Sequence, residues 1–114
     1  MVIVTGKRPV VPEIDPQQAW ERASRGDAVI VDVREPDEVA EVAVPGAMVI
    51  PLGKLDEQVE TIPSDREVLF LCRSGNRSAY ATDFYRQRGH ERTANITGGI
   101  IAWTKANLPT TRGR

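Results

Sequence analysis

Short apolar runs alternate with segments of helical pattern along most of the chain. Three apolar runs have the length of a buried strand, at residues 28–31, 48–50 and 68–71, and residues 94–96 supply one more predicted strand. Helical patterns fill the spaces between them, at about residues 16–25, 35–40, 54–60, 78–88 and 100–106. Strands that alternate with helices are typical of a mostly parallel sheet covered on both faces. The pattern therefore predicts an α/β fold.

The length of the chain predicts one domain. Its 114 residues, 40% hydrophobic and 27% charged, suffice for a single core and are too few for two. We expect that core to span about residues 11–109 of a single 1–114 domain. Residues 1–12 are predicted to form an edge strand or a loosely attached arm, and residues 110–114 a frayed tail.

Charge and hydropathy exclude several classes of partner. The chain has 15 Lys and Arg against 16 Asp and Glu, so no global positive field predicts binding to nucleic acid or anionic membrane. Its opening residues, MVIVTGKRPVVPEID, lack a long apolar segment after basic residues, and no run approaches transmembrane length. These observations predict a cytoplasmic protein.

The only cysteine, Cys72, directly follows the apolar run 68–71 and precedes a helix predicted from about Ser78. Open α/β sheets build their sites at such junctions, where a strand ends and a helix begins. The connecting loop can curl so that several backbone N–H groups face inward, towards whatever the sulfur carries; its residues are Arg73, Ser74, Gly75, Asn76 and Arg77. The junction therefore predicts an anion-binding loop with a thiol at its base.

Two arginines in this loop suggest that it holds a negative charge. A helix N-terminus carries partial positive charge and favours acidic residues, yet this one begins beside Arg73 and Arg77. The same field stabilises a thiolate, so we expect Cys72 to be ionised or readily ionised, and a thiolate is a nucleophile. The alternative is that Cys72 is a small buried hydrophobic residue beside solvated arginines. Gly75 and the order of the arginines favour the first interpretation.

Other chemistry-bearing residues give weaker signals. Asp32 and Arg34 follow the run 28–31, so parallel strands would place them at the same sheet edge as Cys72. They either hold a loop or an arginine of the site in place, or form a local ion pair that shapes the turn. The only histidine, His90, follows the helix that is predicted to begin beside Cys72. The length of that helix places His90 roughly 15 Å from the sulfur, so His90 is predicted at the surface. Activation of the thiol would then be electrostatic. Trp20 and Trp103 are predicted to be core side chains.

The chain offers no motif for a cofactor and no second thiol. It has no CxxC pair, no histidine cluster and no GxGxxG, so neither a metal nor an organic cofactor is predicted. With one cysteine, no intrachain disulfide can form, and no thiol of the chain could resolve an oxidised or persulfidated Cys72. An acceptor for anything carried on Cys72 must come from outside. The short Gly98–Gly99 pair is predicted to allow a tight turn near the loop.

Four segments in order resemble the rhodanese family of sulfurtransferases over about residues 11–109. They are DVREPDE at 32–38, PGAMVIPL at 45–52, CRSGNRS at 72–78 and TGGIIAW at 97–103. The resemblance implies a five-stranded, mainly parallel sheet with helices on both faces and an active loop that starts at Cys72 and closes at Arg77. It also implies that Cys72 carries a persulfide between half-reactions, as in single-domain thiosulfate sulfurtransferases.

One segment departs from the family pattern. Before PGA the family usually has Gly-His-Ile or similar, whereas this chain has Val42-Ala43-Val44. The change removes a polar residue near the loop of the second strand, while the cysteine, Gly75 and Arg77 remain. This departure leaves the substrate preference and the rate open. The chemistry and the fold are expected to be unaffected.

Loop length favours sulfur over phosphate as the bound group. Four residues separate Cys72 from Arg77, whereas cysteine-based phosphatases of similar arrangement use five. A tighter loop fits a terminal sulfur better than a tetrahedral phosphate. We therefore predict transfer of a sulfane sulfur from thiosulfate or a similar donor to cyanide, a thiol or a protein thiolate. A sulfur-carrier module without turnover, a phosphatase or arsenate reductase, and a catalytically silent interaction domain are the alternatives.

Overall fold

The computed structural model describes residues 8–112. Its five strands form one sheet in the order β1-β5-β4-β2-β3, and every pair of neighbouring strands is parallel. The strands are β1 (Glu13–Ile14), β2 (Ala28–Asp32), β3 (Met48–Val49), β4 (Glu67–Leu71) and β5 (Thr93–Ile96). The helices are α1 (Pro16–Ser24), α2 (Pro36–Glu41), α3 (Leu55–Gln58), α4 (Asn76–Gln87) and α5 (Gly99–Lys105). The predicted α/β fold is confirmed.

Two apolar cores lie on opposite faces of the sheet. On one face, α1 and α5 pack against strand residues such as Leu69; on the other, α3 and α4 pack against residues such as Phe70. Neighbouring residues of a strand point to opposite faces, so a strand buried on both sides is apolar along its buried length, as β4 is from Val68 to Leu71. Trp103 is fully buried and meets the half-buried Trp20 edge to face, with ring centroids 6.0 Å apart. Both tryptophans are core residues, as predicted.

Several helix boundaries differ from the prediction. Helix α4 begins at Asn76, two residues before the predicted start, because Gly75 at its N-cap adopts a left-handed φ of 107° that turns the chain sharply. The helix predicted at 54–60 is a short α-helix, α3, between two 3₁₀ turns at Leu52–Lys54 and Val59–Thr61. Helix α5 starts at Gly99, one residue early. The local sequence pattern alone does not show where these helices begin and end.

Both ends of the described chain are held by long-range contacts. The edge strand begins at Glu13, and the predicted arm before it lies partly outside the described residues, at 1–7. The prediction of a frayed tail is wrong at Thr111, whose backbone N–H and carbonyl both bond to Ala43 at 2.8 Å. Residues 113–114 lie outside the described part. The chain leaves α2 in an extended conformation at Val42, which lets Ala43 pair with Thr111 as in a sheet.

The sheet brings the predicted site residues to one edge. Asp32 of β2 is in register with Leu71 of β4, so Cys72 and Asp32 leave adjacent strands at the same carboxyl edge, as predicted. Within residues 8–112, no helix combines the length and hydropathy needed to span a membrane.

Candidate active site

Cys72 lies beneath the loop that connects β4 to α4. Its side chain is only 1% exposed, and Sγ accepts a hydrogen bond from the Gly75 N–H at 3.1 Å. Ser78 Oγ lies 3.2 Å from the same sulfur. Among loop residues 73–77, Gly75 is the one whose amide bonds to Sγ, and the early start of α4 places Asn76 and Arg77 in its first turn. That several loop amides face a group carried on the sulfur stays a prediction. First-turn N–H groups have no acceptor within a helix, so they remain available to an anion beyond Sγ.

The N-terminus of α5 braces the start of this loop. Ile100 N–H donates to the Cys72 carbonyl at 2.8 Å, and Ile101 N–H donates to the Arg73 carbonyl at 3.2 Å. Gly99 makes this approach possible, because a Cβ there would lie 2.5 Å from the Cys72 oxygen and its φ is 59°. The predicted tight turn at Gly98–Gly99 is confirmed, and it fixes the backbone of the cysteine.

A buried polar network reaches the sulfur from β1 and β5. The Ser78 hydroxyl lies 2.5 Å from Asn95 Oδ1, and Asn95 Nδ2 donates to the Gly75 carbonyl at 3.0 Å and to Glu13 Oε2 at 3.3 Å. Arg8 donates to the same two acceptors, at 3.0 Å and 3.1 Å. Sequence reasoning missed Arg8, Glu13 and Asn95. Only Asn95 left a signal, as a polar residue inside an apolar run.

The two loop arginines have different surroundings. Arg77 donates two hydrogen bonds to the Glu38 carboxylate of α2, at 2.8 Å and 2.9 Å, so the anion beside it is a protein side chain. The charge of Arg77 therefore does not by itself indicate a bound anion, and its partner, 39 residues away, cannot be read from local sequence. Arg73 is exposed, like Ser74 and Asn76, and its side chain makes no hydrogen bond or ion pair with residues 8–112.

The Glu38–Arg77 pair changes the titration of both groups. The hydrogen bonds from Arg77 are the main reason why the pKa of Glu38 falls from 4.5 to about 2, against the opposing effect of burial. The same bonds raise the pKa of Arg77. The pair thus stays ionised throughout the ordinary pH range and ties α2 to the first turn of α4.

Glu38→Gln is expected to lower the free energy of unfolding by about 1 kcal/mol at pH 7, because the bidentate pair is partly exposed and screened. Since the pKa of Glu38 is lower in the folded state, this stability is complete above about pH 4.5 and is lost as the pH falls towards 2. Urea unfolding at several pH values measures the difference. Glu41→Gln, an exposed position on the same helix, is the control. A difference between wild type and Glu38→Gln that does not shrink in acid would contradict this role.

Asp32 and Arg34 form a buried ion pair, with side chains 1% and 2% exposed. Arg34 holds the carboxylate through Nε and Nη2, the shortest distance being 2.7 Å. It also donates to the carbonyls of Glu38, at 3.3 Å, and Val42, at 2.7 Å. Of the two interpretations left open by the sequence, these contacts match the local ion pair that shapes the turn. By anchoring the α2 backbone, the pair also positions the carboxylate that binds Arg77.

His90 lies beyond the far end of α4, a helix whose 12 residues span roughly 18 Å. It is half-buried rather than fully at the surface, because its ring stacks on Tyr85 with centroids 4.0 Å apart. A Cys72–His90 dyad is therefore excluded. In the part of the chain that the structure describes, no group of three or more His, Cys, Asp or Glu side chains is placed to hold a metal ion.

The model of the rhodanese-like domain family matches residues 15–106. The chain belongs to this family. The match confirms the resemblance seen in the four sequence segments. The matched residues include four of the five strands and the loop that carries Cys72.

Relatives with sulfurtransferase names cover most of this rhodanese-like chain. It is 40% identical over 101 residues to a sulfurtransferase of Allochromatium vinosum, covering 88% of this chain and 94% of the relative. It is 30% identical over 97 residues to thiosulfate sulfurtransferase GlpE of Glaesserella parasuis, covering 85% and 90%. A crystal structure of a rhodanese-related protein from Thermoplasma volcanium is similar with a TM-score of 0.82 at 28% identity, covering 89% and 98%. These relatives support sulfur transfer as the general activity.

Proposed function

We propose that the protein is a thiosulfate-type sulfurtransferase that carries sulfur on Cys72. The observation that carries the proposal is the position of Sγ, which lies under the N-terminus of α4 and accepts the Gly75 N–H. Beyond Sγ, the unpaired first-turn amides of α4 can bind the negative charge of a terminal sulfur. The relative named thiosulfate sulfurtransferase GlpE, which covers 85% of this chain, supports thiosulfate as the donor.

In the first half-reaction, the Cys72 thiolate attacks the outer sulfur of thiosulfate. A bond forms between Sγ and that sulfur, the sulfur–sulfur bond of thiosulfate breaks, and sulfite leaves with the electron pair. Arg73, exposed and without a partner among residues 8–112, attracts the anionic donor to the rim of the loop. Arg77, bound to Glu38, holds the loop in place instead of steering the donor.

In the second half-reaction, an acceptor removes the terminal sulfur of the persulfide. Cyanide, a small thiol or a protein thiolate attacks that sulfur, its bond to Sγ breaks, and the electron pair returns to Cys72 as a thiolate. The amides of the α4 first turn stabilise the terminal sulfur until then. Because Cys72 is 1% exposed, its surroundings favour donors and acceptors small enough to enter the loop.

Thiosulfate treatment followed by intact-mass measurement tests the proposal. We expect one added sulfur atom, located on the peptide that contains Cys72, and thiocyanate formed over many turnovers when cyanide is supplied. Protein alkylated beforehand serves as the control, because Cys72 is the only thiol of the chain. Loading without turnover would assign a sulfur-carrier role instead, and a failure to load sulfur would refute the persulfide.

A further inference from the structure

The Gly75 carbonyl accepts hydrogen bonds from three donors. Arg8 Nη1 donates to it at 3.0 Å, Asn95 Nδ2 at 3.0 Å, and the Ala79 N–H, one turn along α4, at 3.2 Å. A carbonyl oxygen has two lone pairs, so this oxygen carries more bonds than a helix requires of it. The bond from Arg8 is charge-assisted, because its donor is a guanidinium. The contact with Arg8 is therefore additional to the bonds that hold α4 together.

Arg8 is held against the loop by the edge strand β1 and by the shape of Gly75. Arg8 Nη2 donates to Glu13 Oε2 at 3.1 Å, and Asn95 Nδ2 donates to the same oxygen at 3.3 Å. A Cβ at position 75 would lie 2.9 Å from Arg8 Nη1, so the guanidinium fills the space that a side chain there would need. Because Glu13 neutralises its charge, Arg8 acts on the loop through the hydrogen bond rather than as a free cation.

The bond to the Gly75 carbonyl fixes the direction of the Asn76 N–H. In a trans peptide, this carbonyl and this N–H point in opposite directions. Gly75 has a ψ of −6°, which places its own nitrogen and that of Asn76 on the same side of the chain. The Gly75 N–H donates to Cys72 Sγ at 3.1 Å, so the Asn76 N–H is directed into the space next to Sγ. It belongs to the first turn of α4, where the helix provides no acceptor for it.

We propose that Arg8 is a positioning residue for the sulfur carried on Cys72, an inference that rests on the proposed function. By bonding to the Gly75 carbonyl, the guanidinium aims and polarises the peptide between Gly75 and Asn76. The Asn76 N–H then donates more strongly to a negatively charged terminal sulfur. The bond to Sγ itself comes from the preceding peptide, between Ser74 and Gly75. Arg8 therefore stabilises the loaded cysteine more than the unloaded one.

The equilibrium between loaded and unloaded protein measures this effect. The Cys72 thiolate and thiosulfate give the persulfide and sulfite, so a fixed ratio of sulfite to thiosulfate sets the loaded fraction that intact mass reports. In Arg8→Ala we expect the equilibrium constant to shift about fivefold towards the unloaded protein, because one donor to the peptide is lost. Arg8→Lys, which keeps a charged donor, should retain most of the wild-type value. Arg25→Ala is the matched control, since Arg25 is exposed and also bonds to a carboxylate at 3.1 Å.

Steady-state kinetics separates this role from a general loosening of the loop. Loading ends with a charged terminal sulfur, so kcat/KM for thiosulfate should fall in Arg8→Ala. Unloading starts from that sulfur and removes its charge, so kcat/KM for cyanide should not fall. Equal losses for the two substrates, or a loading equilibrium equal to that of the wild type, would overturn the proposal.

The NMR signal of the Gly75 carbonyl carbon tests the contact without a sulfur donor. It should move upfield in Arg8→Ala, because a charged donor to this carbonyl is lost. The signal of the Cys72 carbonyl, which accepts the Ile100 N–H at 2.8 Å, should stay in place. An unchanged Gly75 signal would overturn the proposal. Failure of the wild type to take up sulfur would refute the proposed function and this inference with it, whereas equal loading of wild type and Arg8→Ala refutes only the role of Arg8.

Discussion

Replacing Cys72 by serine is expected to abolish thiosulfate-dependent formation of thiocyanate. The substitution exchanges the nucleophilic sulfur for a hydroxyl of similar size that is not ionised at neutral pH, and no other thiol of the chain can substitute for it. Loss of a covalent nucleophile costs at least about a thousandfold in rate. A steady-state cyanide assay measures the loss, and mass spectrometry should find no added sulfur.

The fold of Cys72→Ser should remain intact. The introduced hydroxyl has partners at hand, because Gly75 N–H and Ser78 Oγ already lie within 3.2 Å of the sulfur. A melting temperature close to that of the wild type is therefore the expected control result. Activity retained in a well-folded variant would refute Cys72 as the sulfur carrier.

Asp32→Ala is expected to destabilise the protein by about 3–5 kcal/mol, because it leaves the buried Arg34 guanidinium without its counter-charge. The remaining contacts of Arg34, with two backbone carbonyls, do not neutralise its charge. For a domain of about this size, each kcal/mol lowers the melting temperature by roughly 4–8 °C. Urea and thermal unfolding would both detect the loss.

The chain provides a matched control for this substitution. Arg25 and Asp27 form an ion pair at the same two-residue spacing, with side chains 61% and 62% exposed. Asp27→Ala should cost less than about 1 kcal/mol, since exposed pairs contribute little. Equal effects at the two sites would show that burial of Arg34 is not the source of the stability.

The fold could be predicted because its signals are local and repeated. Apolar strands such as 68–71 end at turn residues, and Asp15 and Pro16 mark the start of α1, where the Asp15 side chain accepts the Gln18 N–H at 2.8 Å. Boundaries were less accurate where a backbone conformation decided them. The left-handed conformation of Gly75 starts α4 two residues early, and periodicity carries no information about it.

The position of Cys72 could be predicted, whereas the partners of the loop could not. The sequence places Cys72, Gly75 and Arg77 together because they are adjacent in the chain. Glu38 and Asn95 reach the loop through strand order and register, so their contacts depend on tertiary structure. The roles of residues 73–77, Asp32 and Arg34 in catalysis stay predictions, whereas Cys72→Ser tests the role of the cysteine directly.

The bonds from Ile100 and Ile101 to the carbonyls of Cys72 and Arg73 join the loop to a helix whose Trp103 is buried in the core. Moving the loop away from α5 would either pull Trp103 out of the core or strain the backbone turn at Gly99. The loop therefore belongs to the same cooperative unit as the sheet rather than to a segment that opens by itself. On heating, sulfur transfer and tertiary structure should disappear in one transition, with no inactive but folded state between them.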